Sequence, residues 1–366
     1  MAKTYTKTIT TRRGRKTKIT RKQRRNKKIE NIDNTEKLGG NTGNTNKSKQ
    51  VLNCSPYVSN KRVNKSTCYT PEILIKIKDA YNKSHNKEDY IPWSNPLEIW
   101  RTLKTRLVNC NKEDCWLAEI KDKSLEKDIK HLVFAPNHPP EWINNPNEWL
   151  TDLDISKVMK QYETTYPEFK FIGPSPIDFD TKVERQEIPW EDPTSGNPTD
   201  KVCVWQELCH LSLGKLLENG KTKIGIVFNL DRYDEPGSHW VSLYINLGEP
   251  EPFVFYFDST GRKYPDEIRV FIERIIDQGA KLSPPLKINK YSNFGKDHQK
   301  SNTECGMYSL FFLITMLTCK IYDTVDETDN NPVDLDFQSK LTLFKDAVIP
   351  DKYVELYRNK YFNDPV

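Results

Sequence analysis

The sequence predicts an α+β fold, and three features of its second half support that prediction. Three apolar segments, 223–230, 239–247 and 253–257, follow one another with short connections, as the strands of an antiparallel sheet do. Amphipathic helical patterns precede and follow these segments. An apolar run without proline, 307–317, is long enough for about three turns of buried helix. We therefore expect a mainly antiparallel sheet with helices around it.

The N-terminal part of the 366-residue chain is unusually basic. Residues 1–29 contain thirteen Lys and Arg and no Asp or Glu, whereas the whole chain carries only +5. Such a segment is typical of a solvated, disordered leader, of a nuclear address or of non-specific binding to nucleic acid phosphates. The next residues, to 49, are rich in Asn, Gly, Thr and Lys, as linkers are. We predict a disordered basic tail and linker over 1–49.

Residues 50–142 predict a largely helical accessory module. Thr70-Pro71-Glu72 is a helix start followed by an apolar stripe, and residues 96–107 repeat the pattern. Four prolines between 135 and 147 mark a boundary. The catalytic region is therefore predicted over 143–366.

The eight cysteines lack the close spacings of a small disulfide framework, which predicts free thiols in a reducing compartment. Cys110 and Cys115, followed by His131 and His138, invite a zinc interpretation. The last interval lies outside the usual range for such sites, so we expect ordinary buried thiols, surface histidines and no metal.

No segment has the length of a membrane span. The longest apolar runs, 253–257 and 310–314, are far shorter than the roughly 18 residues that a bilayer requires. No apolar stretch follows the N-terminus as in a secretory signal. We expect an intracellular protein that is neither secreted nor bound to a membrane.

The remaining elements of the catalytic region are assigned from the same periodicities. A helix is predicted after Trp149-Leu150, a short strand and turn at 169–176, and a second helix over 202–217. Residues 178–200 are polar with several prolines, and we expect them to run over the surface. Pro265-Asp266-Glu267 opens a third helix.

Four residues of this region together suggest a cysteine nucleophile. Cys305 heads the buried helix, where unpaired N–H groups and the macrodipole stabilise an anion. His239 begins one strand and Asp258 ends the next, so a hairpin makes them neighbours, and the carboxylate can orient the imidazole. Gln299 can donate an N–H to an oxyanion beside the Cys305 backbone N–H. Each residue alone has an ordinary structural explanation, but their joint placement favours catalysis.

The motifs His239-Trp240, Asp258-Ser259, Gln299 and Glu304-Cys305-Gly306, in this order, resemble the catalytic core of the SUMO-protease and adenovirus-proteinase superfamily of cysteine peptidases. The resemblance covers roughly residues 145–320. It implies that His239 is the general base, Asp258 its orienting partner, Gln299 an oxyanion donor and Cys305 the nucleophile.

Two tryptophans are candidate substrate-binding residues on the same ground. Trp240 matches the tryptophan that follows the catalytic histidine, and Trp149-Leu150 resembles the start of the SUMO-protease domain. In that family the two tryptophans flank a narrow tunnel for a diglycine. For Trp149, packing in the core remains an alternative.

The basic tail and the segments around Cys68 and Tyr81 are most similar to the virion thiol proteases of giant DNA viruses, of mimivirus type, and more distantly to the polyprotein protease of African swine fever virus. This resemblance implies cleavage of viral precursor proteins at Gly-Gly-Xaa-like sites during particle maturation. It implies a location in the virion and, during assembly, in the host cytoplasm. We expect no cofactor, while the need for a peptide or DNA activator, as in adenoviral relatives, stays open at this point. Gly39-Gly40-Asn41 in the linker matches that motif, so removal of the chain's own tail is a further prediction.

Three alternatives remain open at this stage. The enzyme could remove ubiquitin-like or SUMO-like modifiers, with the same catalytic residues and a different substrate surface. It could transfer acetyl groups, as some effectors of this clan do, although no basic pocket for the required ligands is evident from the sequence. The chain could also be an inactive virion protein that binds nucleic acid through residues 1–29.

Overall fold

The computed structural model describes residues 52–364, apart from 111, 120–122, 193, 249 and 323–331. The predicted tail and linker over 1–49, with Gly39-Gly40, lie outside the described residues. Among the residues described, no helix is long and apolar enough to cross a bilayer.

A five-stranded sheet lies at the centre, with strand order β1-β4-β5-β6-β7. Pairs β4–β5 and β5–β6 are antiparallel, and the two edge pairs, β1–β4 and β6–β7, are parallel. Two small antiparallel pairs, β2–β3 and β8–β9, lie outside it. The strands are β1 (Phe169–Pro176), β2 (Lys182–Glu184), β3 (Lys201–Cys203), β4 (Lys223–Asn229), β5 (Trp240–Asn246), β6 (Phe253–Phe257), β7 (Asn289–Ser292), β8 (Lys320–Tyr322) and β9 (Pro332–Asp334).

Helices surround this sheet, which confirms the predicted α+β class. They are α1 (Pro71–Ser84), α2 (Pro96–Arg106), α3 (Cys115–Glu119), α4 (Lys123–Val133), α5 (Asp152–Thr165), α6 (Gln206–Cys209), α7 (Leu213–Glu218), α8 (Asp266–Ala280), α9 (Cys305–Thr318), α10 (Phe337–Lys345), α11 (Asp351–Glu355) and α12 (Arg358–Tyr361). Short 3₁₀ turns occur at Pro56–Val58, Lys87–Asp89, Pro140–Ile143 and Arg185–Glu187.

The helix starts follow local capping rules. The Thr70 side chain accepts a hydrogen bond from the Ile73 backbone N–H, and Pro71 occupies the first turn of α1. At the start of α5, Thr151 and Asp154 form a reciprocal capping box. This second cap fixes the chain immediately after Trp149, which matters for the cleft described below.

Helix α9 is buried along almost its whole length, since every residue from Cys305 to Leu317 is buried. Its sequence is apolar on all sides, as expected for a helix enclosed by other elements rather than lying on a surface. It packs on β5 and β4 of the sheet and also contacts α5, α10 and α11. The sheet and this helix therefore fix the position of Cys305.

The N-terminal part of the described chain has its own hydrophobic cluster, whose buried members all lie between Val58 and Phe134. It docks on the rest of the chain through polar contacts. The Asn53 backbone N–H donates to Asn363 Oδ1 at 2.7 Å, and Asn363 Nδ2 donates to the Ala135 carbonyl at 2.9 Å. A separate core is compatible with an accessory module; the boundary at residue 142 stays a prediction.

The expectation of free thiols is wrong for six of the eight cysteines. Disulfides join Cys54 to Cys68, Cys110 to Cys115 and Cys203 to Cys209, with Cα atoms 5.2, 5.5 and 6.3 Å apart. These separations are those of ordinary disulfides. Spacing along the sequence did not reveal the pairs because the fold determines which Cβ atoms meet. Cys305 and Cys319 remain free.

Candidate active site

Two strand ends bring an imidazole and a carboxylate together. His239 directly precedes β5 and Asp258 directly follows β6, and the two strands pair with Ser242 opposite Phe257. His239 Nε2 lies 2.7 Å from Asp258 Oδ1, which is a hydrogen-bond distance. Asp258 is fully buried, and the same oxygen accepts hydrogen bonds from the backbone N–H and hydroxyl of Thr260. The carboxylate is thereby fixed, and it orients the imidazole ring.

The surroundings of His239 favour its protonated form. Burial alone lowers the pKa of His239, but hydrogen bonds to Asp258 and Cys305, and the negative charges of these groups, outweigh burial and raise the pKa to about 9. Burial opposes ionisation of Asp258 too, yet its bonds to His239 and Thr260 bring its pKa below the usual value. Since Nε2 faces Asp258, Nδ1 is the ring nitrogen left for the Cys305 thiol.

Cys305 is the first residue of α9 and is 2% exposed. The residue before it, Glu304, makes no side-chain cap of the helix, so the first backbone N–H groups remain available for an anion. Gly306 allows this end of the helix to lie close to Leu150, because a Cβ at 306 would come within 2.9 Å of the Leu150 Cβ. The thiol is thus enclosed on one side by the segment that carries Trp149.

A buried ion pair holds the start of α9. Glu304 is fully buried, and Arg358 on α12 binds both of its oxygens, with Nε–Oε2 at 3.1 Å and Nη2–Oε1 at 2.9 Å. Burial raises the pKa of Glu304, and Arg358 opposes that shift. Arg358 also donates to the Glu148 carbonyl and lies 4.3 Å from the ring centre of Trp142. One guanidinium thereby connects the helix that Cys305 begins to the chain before Trp149.

Gln299 is held by two of its neighbours. Its Oε1 accepts a 2.6 Å hydrogen bond from the Ser259 hydroxyl, and its Nε2 donates to the Ser301 carbonyl at 2.9 Å. An amide nitrogen carries two hydrogens, so the second N–H is left for a substrate oxygen. Ser259 directly follows Asp258, so the loop after β6 orients both candidate residues.

His298 is a second buried histidine, and the sequence did not single it out. Its Nε2 donates to the Phe344 carbonyl, 3.0 Å away, and its Nδ1 accepts from the Ile349 backbone N–H at 3.2 Å. Burial lowers the pKa of His298 to about 4. This neutral histidine anchors the loop that carries Gln299.

Both candidate tryptophans line one cleft. Trp240 Nε1 donates to the Leu150 carbonyl at 3.0 Å, which ties the chain after Trp149 to the start of β5. Trp149 is 38% exposed, so packing in the core does not account for it. The cleft has a volume of about 640 Å³ and reaches His239. Its far wall includes Trp190 and Trp205. Residues 178–200, expected to run over the surface, therefore contribute to this wall.

Among the described residues, one group has the spacing for a metal ion: the ligand atoms of Cys203, Cys209 and His210 lie within 4.8 Å of one another. Because Cys203 and Cys209 are joined in a disulfide, they do not offer two thiolates. The cysteines and histidines of the N-terminal part for which a zinc interpretation was set aside do not meet this criterion, and Cys110 and Cys115 are also paired.

No protein-family model matches the chain. It is 27% identical over 292 residues to a protein of Acanthamoeba polyphaga mimivirus that is named a thiol protease, covering 74% of this chain and 86% of the relative. It is also 26% identical over 221 residues to a cysteine protease of African swine fever virus, covering 57% of this chain and 74% of the relative. A protein of another isolate, named a SUMO-1 cysteine protease, is 27% identical over 220 residues. The chain is a cysteine peptidase related to these viral proteases.

The fold of this cysteine peptidase agrees with that of a solved viral relative. The crystal structure of an African swine fever virus protease superposes with a TM-score of 0.53 at 17% identity, covering 87% of this chain and 98% of that one. The predicted α+β cysteine protease fold, with helices around a sheet and Cys305 at the start of a buried helix, is confirmed. The short motifs around His239 and Cys305 therefore predicted both the fold and the kind of activity for which the relatives are named.

Two features of this peptidase's site were missed from the sequence: the Glu304–Arg358 pair and the anchoring histidine His298. Glu304 was part of the quoted motif, but nothing local indicated that its partner lies 54 positions along the chain. The signal that was available for His298 is its place next to Gln299. A histidine directly before a candidate catalytic residue is a candidate for the side chain that anchors the loop.

Proposed function

We propose that this cysteine peptidase hydrolyses peptide bonds with Cys305 as nucleophile, His239 as proton carrier, Asp258 as its orienting carboxylate and Gln299 as oxyanion donor. The observation that supports this most directly is the 2.7 Å contact between His239 Nε2 and Asp258 Oδ1, which leaves Nδ1 for the Cys305 thiol at the start of α9. In this arrangement the thiol proton moves to Nδ1, and the thiolate forms at the head of α9.

The proposed first half-reaction forms an acyl-enzyme. Cys305 Sγ attacks the scissile carbonyl carbon, and the resulting oxyanion accepts hydrogen bonds from the Cys305 backbone N–H and from the second N–H of Gln299. The imidazolium of His239 then gives its proton to the departing amine. In the second half-reaction neutral His239 takes a proton from water, hydroxide attacks the thioester, and the acid product leaves as Cys305 accepts the proton again.

The substrates we propose are viral precursor proteins cut after Gly-Gly during particle maturation, in the virion or the host cytoplasm. The relationship to viral proteases supports this substrate class. Trp149 and Trp240 line the cleft that reaches His239, and by resemblance to the SUMO proteases such a pair of tryptophans suits a diglycine before the scissile bond. A second candidate, removal of SUMO-like modifiers, is favoured by the name of one relative. The basic tail 1–29 is proposed to bind nucleic acid without taking part in hydrolysis.

Peptide hydrolysis by purified wild-type protein, Cys305→Ala and Cys319→Ala tests this function. Cys319 is the other free thiol and serves as a matched control. On a Gly-Gly-Xaa peptide we expect loss of activity in Cys305→Ala and retention in Cys319→Ala. Equal activity of the two variants would refute the assignment of Cys305. A panel of precursor-derived peptides and modifier-tailed proteins then separates the two substrate classes.

A further inference from the structure

The cleft that reaches His239 carries a net negative charge, because its carboxylates outnumber the cationic groups of its lining, Arg232 and His239. Four carboxylates line it, and in the part of the chain that the structure describes none of the four forms an ion pair with a Lys or Arg; they are Glu141, Glu148, Asp152 and Glu235. One guanidinium, Arg232, lies in the lining, and it is directed to Asp178 and Asp234, with distances of 3.7 and 3.4 Å.

Two of these carboxylates, Glu148 and Glu235, accept hydrogen bonds that hold them in place without neutralising them. Glu148 accepts from Asn145 Nδ2 and from the Trp149 backbone N–H, at 2.7 and 3.1 Å. Glu235 accepts from the Arg232 backbone N–H at 2.9 Å. All these donors are neutral, so the charge of each carboxylate remains for a ligand.

Aromatic faces complete the cleft. Trp190 is 46% exposed and stands 5.6 Å from Trp205 between ring centres, and Trp149 and Trp240 line the same cleft. Indole faces attract Lys and Arg side chains, and carboxylates nearby strengthen that attraction. A volume of about 640 Å³ is that of a binding cleft for several residues of an extended ligand.

We propose that this cleft selects substrates that carry a Lys or Arg a few residues before the scissile bond. This inference rests on the proposed function, in which Trp149 and Trp240 flank the residues on the acyl side. The occupant is thus a peptide with a basic side chain followed by small residues. The chain's own linker contains such a sequence, Lys37-Leu38-Gly39-Gly40, which supplies a natural probe.

The experiment compares three fluorogenic peptides, Lys-Leu-Gly-Gly, Ala-Leu-Gly-Gly and Glu-Leu-Gly-Gly, at low and high salt. We expect kcat/KM for the Lys peptide to exceed that for the Glu peptide about tenfold at low salt, and the ratio to shrink at about 0.5 M salt because exposed charges are screened. The triple variant Glu148→Gln/Asp152→Asn/Glu235→Gln is expected to bring the ratio close to one. A control with the same change of charge, Asp266→Asn/Glu267→Gln/Asp277→Asn on α8, is expected to keep it.

Two outcomes overturn the inference. One is cleavage of the three peptides with kcat/KM values equal within twofold, which leaves the proposed function intact. The other is a Lys preference that survives in the cleft variant. If no peptide is cleaved, the proposed function fails. In that case the cleft is tested by itself, by measuring with tryptophan fluorescence how tightly the free peptide acids bind to the Cys305→Ala variant. About tenfold tighter binding of the Lys peptide then supports the inference, and equal or absent binding refutes it.

Discussion

The N-terminal module and the catalytic region are stabilised by different means. The module consists of short helices, five to fourteen residues long, around one hydrophobic cluster, and two disulfides join its segments. The catalytic region has one disulfide, Cys203–Cys209, and in addition a five-stranded sheet, a helix buried on all sides and a buried ion pair at the head of that helix. Covalent links substitute for burial where a core is small. Changes in the module should therefore affect stability first, and changes near α9 should affect chemistry first.

The largest expected effect is on catalysis, at Asp258. Replacing it with Asn removes the negative charge that holds the pKa of His239 near 9, so the imidazolium is lost at lower pH. We expect kcat/KM to fall by about 10²–10⁴-fold, within the range of general acid–base catalysis. We also expect the alkaline limb of the pH profile to move from near pH 9 towards neutral pH. Peptide hydrolysis measured from pH 5 to pH 10 tests both effects.

The control for Asp258→Asn is Asp231→Asn. Asp231 is an acid in the loop before β5 that bonds Ser238 and does not touch His239. An alkaline limb that stays in place in Asp258→Asn would mean that another group controls it. The unfolding midpoint of Asp258→Asn, measured in parallel, distinguishes lost chemistry from lost structure.

The second effect is on the buried ion pair. Arg358→Met leaves Glu304 fully buried without its cation, which typically costs about 3–5 kcal/mol of unfolding free energy. Urea denaturation measures this loss. The double variant Glu304→Gln/Arg358→Met removes both charges and should be more stable than Arg358→Met alone. A single variant as stable as the wild type would show that the pair does not fix the helix start.

The part of the site that the sequence predicted is the part determined by local order. His239 and Asp258 meet because the strands they flank are consecutive and form a hairpin, and a hairpin register can be derived from neighbouring segments. Cys305 lies at a helix start because its polar predecessors and apolar successors define one. For these residues, segments that are neighbours in the sequence are also neighbours in the fold, so their positions could be predicted.

The features of the fold and the site that the sequence did not predict depend on contacts between segments that lie far apart in the chain. The edge strands pair in parallel with partners far along the chain, as β1 does with β4, and no local pattern specifies such a pairing. The Glu304–Arg358 pair and the three disulfides depend on tertiary packing in the same way. The cleft wall at Trp190 belongs to a stretch whose polar composition predicted only a surface path.

The third effect concerns the module. Replacing Cys54 and Cys68 with Ser opens a loop of about 15 residues, which lowers the unfolding free energy by about 3 kcal/mol in the chain-entropy model. Because neither cysteine contacts the cleft, kcat/KM on a short peptide should stay within twofold of wild type at a temperature where the variant is folded. Thermal unfolding and peptide hydrolysis measure the two quantities. A fall in kcat/KM with an unchanged midpoint would mean that the module takes part in catalysis.

The smallest effect is the pH dependence of stability that His298 introduces. Its pKa is about 4 in the folded chain and about 6.5 in an unfolded one, so the unfolded state binds more protons between these values. Stability is therefore lost as pH falls from 6.5 towards 4, by about 2–3 kcal/mol at pH 4.5 from this group. His298→Gln keeps a donor and an acceptor but does not titrate, so the fall in urea midpoint between pH 7 and pH 4.5 should be smaller than in wild type. An equal fall in both proteins would assign the acid sensitivity to carboxylates and would show that the pKa of His298 is not lowered in the folded chain.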